Sequence, residues 1–183
     1  MNYSVDWLKQ EIEKGLQVEF LFFWGHTPKE DGVIDKSCFS QWFPAPFIVD
    51  GITYRTAEHW MMAKKAELFN DDEMLKKILD SDDPSDAKKM GRKVKNFDPE
   101  IWSKACFEMV IEGNQYKFSQ HDELKKFLLH TADKIIVEAS PRDSIWGIGL
   151  SQNALEARNP FTWGGTNLLG FALMEVRDRL KKN

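Results

Sequence analysis

An acid and an amine two helical turns apart are the residues of this sequence with the clearest potential for chemistry. Glu58 and Lys65 lie within residues 54–69, a stretch without Gly or Pro in which Thr56 is a suitable N-cap. At about 100° per residue, both charged side chains fall on the same helical face as Met62. The pattern therefore predicts a helix that turns a carboxylate and an ammonium inward.

Two interpretations of these inward charges stand side by side. In the first, the two groups form a buried ion pair, or Lys65 extends past the edge of the core. In the second, they form the polar floor of an active site. Glu58 would then stabilise developing positive charge, while a desolvated Lys65 with a lowered pKa would act as a nucleophile or base.

A second stretch with chemical potential is residues 134–149, where a short apolar strand ends in a Pro-Arg-Asp turn. Glu138 ends the strand, Asp143 lies in the turn and Trp146 follows it. Two carboxylates and an indole suit cleavage of an N-glycosidic bond, which needs stabilisation of an oxocarbenium-like sugar, activation of water and a flat surface for the base. In the alternative, Asp143 only caps the turn and Glu138 pairs with Arg142.

The loop over residues 37–50 is rich in aromatic residues and holds two prolines, which resist both helix and central strand. Its aromatic residues, including Trp42 and Phe43, form either a hydrophobic plug or one wall of a pocket. In the pocket interpretation, Ser40 and Gln41 supply polar contacts. Because this loop leads into the predicted helix of the first acid, we expect the two to be neighbours.

Two further features could bind an anion. The guanidinium of Arg92 matches a phosphate in bidentate geometry, although a surface arginine at a helix end is commonly only solvated. Gly164 and Gly165 precede the last helix, where backbone N–H groups could receive a phosphate or simply be capped by a turn.

The composition of the 183-residue chain limits the classes of function. Its formal net charge of -4 and the lack of a basic run argue against binding to a nucleic-acid backbone as the main activity. Cys38 and Cys106 are too few for a disulfide framework, and no zinc-type spacing occurs, so we expect neither metal nor cofactor. Without a leader pattern or a membrane-length apolar run, the chain is expected to be cytoplasmic.

Hydrophobic periodicity predicts one compact α+β domain, mostly helical with a small β-sheet. An amphipathic helix within residues 1–17 precedes a core over residues 18–180, and residues 18–24 form a buried strand. Further helices are predicted to begin near Asp71 or Asp72, Asp83, Asp98, Asp122 and Asn167.

Several ordered segments together resemble the YbiA-like proteins, also called the NADAR domain family, from Phe22 to Leu180. These segments are Phe22-Phe23-Trp24-Gly25-His26, the loop over 40–47, Thr56-Ala57-Glu58-His59, Lys65-Ala66, Met90-Gly91-Arg92, Lys117-Phe118, and the stretches 137–140, 143–149 and 165–170. The resemblance implies an N-glycosidase acting on ribosylated amino-heterocycles. The two activities of the family concern ribosylamino-pyrimidine phosphates of early riboflavin biosynthesis and ADP-ribosylated guanine, free or on nucleic acid.

The resemblance also implies roles for individual residues. Glu58 and Asp143 would be the catalytic acids, and Lys65 the essential amine that captures C1 of the sugar. The residues expected to bind substrate are Ser40, Trp42, Phe43, His59, Arg92, Glu138, Trp146, Gly165 and Asn167. The competing function is a module that binds ADP-ribose or a nucleotide without cleaving it.

Overall fold

Helices dominate residues 2–182, which are the residues that the computed structural model describes. The α+β class predicted from the sequence is confirmed. The elements are α1 (Val5–Glu13), β1 (Phe20–Phe23), β2 (Phe47–Val49), β3 (Ile52–Tyr54), α2 (Ala57–Leu68), α3 (Asp72–Asp80), α4 (Pro84–Gly91), α5 (Pro99–Ser119), α6 (Asp122–Leu129), β4 (Ile135–Glu138) and α7 (Leu168–Lys181). The strands form two separate two-stranded sheets.

The chain divides into two compact units. The first unit runs up to Ser40 and resumes at Glu123, and the second unit is Gln41–Asp122. Among residues 2–182, no helix has the length and apolar character needed to cross a membrane.

In the first unit, β1 and β4 pair in parallel, with Phe23 opposite Glu138. The first three residues of β4 are all buried, as expected for a strand covered on both faces. Helix α7 packs against β4 so closely that a Cβ on Gly170 would lie 2.1 Å from the carbonyl oxygen of Ile136. A glycine is therefore required where the helix crosses the strand.

In the second unit, β2 and β3 form an antiparallel hairpin, and α2 packs against α3, α4 and α5. The hairpin turn is Asp50-Gly51, and both residues have positive φ, as a type I′ turn requires. The Trp60 indole of α2 donates to the carbonyl oxygen of Met109 on α5 at 2.8 Å. Gly113 makes room for this ring, because a Cβ there would lie 2.4 Å from it.

The ends of the predicted elements differ from the observed ones where backbone conformation intervenes. Helix α1 ends at Glu13 rather than near residue 16, because Gly15 adopts a left-handed φ of 98°. The predicted strand over 18–24 shortens to Phe20–Phe23, and Trp24 beyond it is exposed.

Candidate functional site

The residues predicted to form the site divide between the two units. Trp42, Phe43, Glu58, His59, Lys65 and Arg92 belong to the second unit. Ser40, Glu138, Asp143, Trp146, Gly165 and Asn167 belong to the first.

Glu58 lies in the first turn of α2, and its side chain is only 5% exposed. Thr56 caps this helix as predicted, since its hydroxyl accepts from the backbone N–H of His59. The N–H of Glu58 donates to the carbonyl oxygen of Gln41 at 2.9 Å, which confirms that the aromatic loop adjoins the acid. The positive end of the helix dipole favours a negative charge at this position.

His59 lies beside Glu58, and its ring forms hydrogen bonds within the protein. The ring is 1% exposed, its Nδ1 lies 2.8 Å from the Thr56 hydroxyl and its Nε2 lies 3.1 Å from the carbonyl oxygen of Ser81. Since a carbonyl only accepts, Nε2 carries the hydrogen and Nδ1 accepts from Thr56. Burial lowers the pKa of His59, so the neutral ring is favoured. Both nitrogens are occupied, and in this structure neither offers the predicted contact to substrate.

Lys65 is half-buried on an aromatic surface. Its ammonium lies 4.0 Å from the ring centroid of Phe97 and 5.3 Å from that of Trp102. Within residues 2–182, no carboxylate pairs with it, whereas the neighbouring Lys64 pairs with Glu67 at 2.7 Å. Burial lowers the pKa of Lys65 below its ordinary value. The structure thus replaces the ion-pair interpretation with a partly desolvated, unpaired amine.

Lys117 is a second amine that points inward. The sequence predicted no role for it, although it belongs to one of the segments that resemble the family. It is 0% exposed on α5, and its ammonium lies 5.6 Å from the ring centroid of Phe43 and 5.2 Å from that of Phe118. The signal that could have identified it is its spacing, two turns after the buried Val110 on the same helical face.

Next to Lys117 on α5 is a buried pair of amides that the sequence also did not reveal. The amide nitrogen of the fully buried Asn114 donates to the side-chain oxygen of Gln41 and to the carbonyl oxygen of Val110, both at 2.8 Å. Gln41 Nε2 and Asn114 Oδ1 are buried without a hydrogen-bond partner among the described residues. Such orphaned groups mark a place where an ordered water or a ligand group is needed.

Trp42, Phe43 and Arg92 are further residues expected to bind substrate. Phe43 is buried, whereas Trp42 is half-buried and has the ammonium of Lys88 5.8 Å from its ring centroid. Arg92 follows α4 directly, and its exposed guanidinium forms no hydrogen bond or ion pair with residues 2–182.

In the first unit, the turn after β4 is fixed by Asp143. Its Oδ1 accepts from the N–H groups of Ile145 at 2.9 Å and Trp146 at 2.8 Å, as the capping alternative predicted. The other oxygen, Oδ2, forms no hydrogen bond within residues 2–182. The half-buried carboxylate is therefore oriented through one oxygen, Oδ1.

Asn167 holds the end of β4 and the start of α7 together. It is fully buried with a left-handed φ of 51°. Its Oδ1 accepts from the N–H of Glu138, and its Nδ2 donates to the carbonyl oxygen of Ile136, both at 2.9 Å. The amide expected to contact substrate is thus used to position the strand end that carries Glu138.

The start of α7 is closed by the Asp143 turn rather than open to an anion. The N–H groups of residues 166–169 all donate to carbonyl oxygens of residues 144–147. Gly165 is needed for this close contact, because a Cβ there would lie 2.3 Å from the carbonyl oxygen of Gly147. The N–H groups of residues 166–169 are therefore not available to a phosphate at this helix start.

Ser40 ends the short 3₁₀ helix Lys36–Phe39 and is half-buried, with its N–H donating to the carbonyl oxygen of Ser37 at 3.0 Å. Within residues 2–182, no group of three or more His, Cys, Asp or Glu side chains is placed to hold a metal ion.

The chain belongs to the NADAR domain family, whose model matches residues 22–181. An N-glycosidase of Acanthamoeba polyphaga mimivirus is 45% identical over 87% of this chain and 95% of its own length. The N-glycosidase YbiA of Escherichia coli is 31% identical over 93% of this chain and 94% of its own. The NMR structure of the E. coli protein YbiA matches with a TM-score of 0.68 at 28% identity, covering 91% of this chain and 88% of that chain.

These relatives confirm the family resemblance and the prediction of an N-glycosidase, a hydrolase acting on N-glycosyl bonds.

Proposed function

We propose that this chain hydrolyses the N-glycosidic bond of a ribosylated amino-heterocycle, either a ribosylamino-pyrimidine phosphate or an ADP-ribosylated guanine. The observation that carries the proposal is the carboxylate of Glu58, buried at a helix start in a unit that also buries the amine of Lys117. Buried charges cost stability, and functional sites are where proteins retain them.

In the proposed reaction, the bond between sugar C1 and the base nitrogen breaks, and its electron pair leaves with the base, which takes up a proton. Glu58 stabilises the positive charge that develops on the sugar. This interaction is stronger in a water-poor environment than in bulk water, and the fixed helix start needs no rearrangement to provide it. Water then adds its oxygen to C1 and releases its proton.

We assign the second acid to Asp143, whose turn leaves Oδ2 for a ligand while Oδ1 is held by backbone N–H groups. Trp146 in the same turn supplies an indole for a flat base. In the second unit, the half-buried ring of Trp42 is a further stacking surface. Arg92, whose guanidinium has no ion-pair partner within residues 2–182, has the geometry that suits phosphate.

The choice between the two substrates is open to a direct test. Purified protein is incubated in parallel with ADP-ribosylated guanosine and with the ribosylamino-pyrimidine phosphate, and free base is measured by mass spectrometry. We expect base release from one of the two. A ligand that raises the melting temperature with no base released from either substrate would instead support the non-catalytic binding module.

In the alternative in which Lys65 rather than water captures C1, the neutral amine bonds to C1 as the base leaves, the C1–O bond of the sugar ring opens to give an imine, and water later hydrolyses that imine. Its lowered pKa increases the neutral fraction of the amine that can attack. Borohydride added during turnover should trap a sugar adduct, seen as a mass increase that maps to Lys65 and is lost in Lys65→Met. Lys64→Met is the matched control, because Lys64 pairs with Glu67 and should leave the adduct intact. Equal trapping in Lys65→Met would exclude this residue.

A further inference from the structure

We propose that Lys88 and Arg92 of the α4 region form a phosphate-binding subsite, with Trp42 orienting the ammonium of Lys88. The inference rests on the proposed function, since it assigns the phosphate group of that substrate. It adds Lys88, a residue that neither the sequence motifs nor the family match marks as functional.

Two other cations on or near α4 form ion pairs with carboxylates. Lys89 pairs with Asp86 at 2.8 Å, and Lys95 pairs with Glu73 at 3.0 Å. Within residues 2–182, by contrast, Lys88 and Arg92 have no carboxylate partner.

Lys88 and Arg92 are four residues apart and therefore lie on the same side of the helix end, where two like charges repel each other. The dipole at a helix end favours cations, but that effect is best served by ammonium groups directed at the last carbonyls. Lys88 instead directs its ammonium over the Trp42 ring, 5.8 Å from the centroid, and its side chain is half-buried. A bound anion would offset both the repulsion and the partial desolvation.

A phosphate group matches the two donors. The planar guanidinium of Arg92 can donate two parallel hydrogen bonds to phosphate oxygens, and the ammonium of Lys88 adds a point charge. The contact between Lys88 and Trp42 limits the freedom of the lysine side chain before binding, which reduces the entropy lost when the anion arrives. The class of ligand is therefore a phosphate ester carried by the sugar of the substrate.

The test compares a ribosylamino-pyrimidine phosphate with the same compound after phosphatase treatment. Wild-type protein should prefer the phosphorylated form in kcat/KM, and Lys88→Met should reduce that preference about tenfold or more through KM rather than kcat. Lys89→Met is the matched control on the same helix, because its ammonium already has Asp86, and it should retain the preference.

Binding of inorganic phosphate, followed by calorimetry, separates this inference from the proposed function. Weaker phosphate binding in Lys88→Met and Arg92→Met than in Lys89→Met supports the subsite even if neither form of the compound is cleaved. An unchanged phosphate affinity in Lys88→Met, or an equal loss in Lys89→Met, overturns it. If base is released with no preference for the phosphorylated form, the subsite is wrong while the N-glycosidase proposal stands.

Discussion

Replacing Glu58 by Gln is expected to remove nearly all turnover while leaving the fold intact. The amide has the shape of the carboxylate, and the N–H of residue 58 can still donate to the carbonyl oxygen of Gln41. A neutral group cannot stabilise positive charge on the sugar, so kcat should fall by about 10²–10³-fold. Substrate affinity should change far less, because this charge develops only in the transition state. Base release gives kcat, and thermal unfolding checks the fold.

The matched control for this variant is Glu67→Gln on the same helix. Glu67 is exposed and pairs with Lys64 at 2.7 Å, so its replacement should leave kcat unchanged. If Glu58→Gln retained the wild-type kcat, the catalytic acid would have to be sought elsewhere, with Asp143 as the first candidate.

Replacing Gly165 by Ala is expected to destabilise the protein by about 1–3 kcal/mol, the usual range for overpacking. The added Cβ would lie 2.3 Å from the carbonyl oxygen of Gly147 and 2.8 Å from Cα of Ser144. Both are backbone atoms, so no side-chain rotation can relieve the contact. We expect the melting temperature to fall by roughly 2–12 °C for a chain of this size. Thermal and urea unfolding measure the effect.

Gly164→Ala controls for the loss of a glycine in this turn. A Cβ on Gly164 would have its nearest neighbour, the carbonyl oxygen of Ile148, 3.9 Å away. Its effect should stay within about 0.5 kcal/mol. Equal stability losses in the two variants would mean that the close contact of residue 165 with Gly147 does not explain the requirement for glycine.

The parts of the fold that follow from local chemistry were predictable. Asp71, Asp83 and Asp98 each accept from an N–H of the helix that follows, as their positions before helical sequence indicated. Capping acts over a few residues, so the sequence contains both partners of the contact. The same holds for the Asp50-Gly51 turn, where both residues tolerate positive φ.

Partners from distant parts of the chain were not predictable. His59 and Asn167 belong to motif segments and were expected to bind substrate. In the structure, the polar side-chain atoms of both form hydrogen bonds within the protein. Residue type and spacing indicate that a side chain points into the protein, but they do not identify the group that it contacts. For the same reason, the sequence placed Lys65 inward and could not anticipate its contacts with Phe97 and Trp102.

The buried polar residues of α5 could not be predicted for a different reason. Lys117 and Asn114 lie in a helix whose other inward residues are mostly apolar, so periodicity alone treats them as core positions. The bond between Asn114 and Gln41 joins residues 73 positions apart. Only the folded unit reveals that Gln41, one member of this amide pair, also accepts the N–H of Glu58 at its backbone carbonyl oxygen.

The most direct test of the central claim is the position of an oxygen-18 label after one turnover in labelled water. The reaction is quenched early, and the released sugar is reduced with borohydride so that the oxygen at C1 can no longer exchange with water. The masses of both products are then measured by mass spectrometry. Cleavage of the N-glycosidic bond predicts the label on C1 of the sugar and an unlabelled base that keeps its nitrogen. A labelled base, which would mean that water attacked the heterocycle instead, would contradict the account.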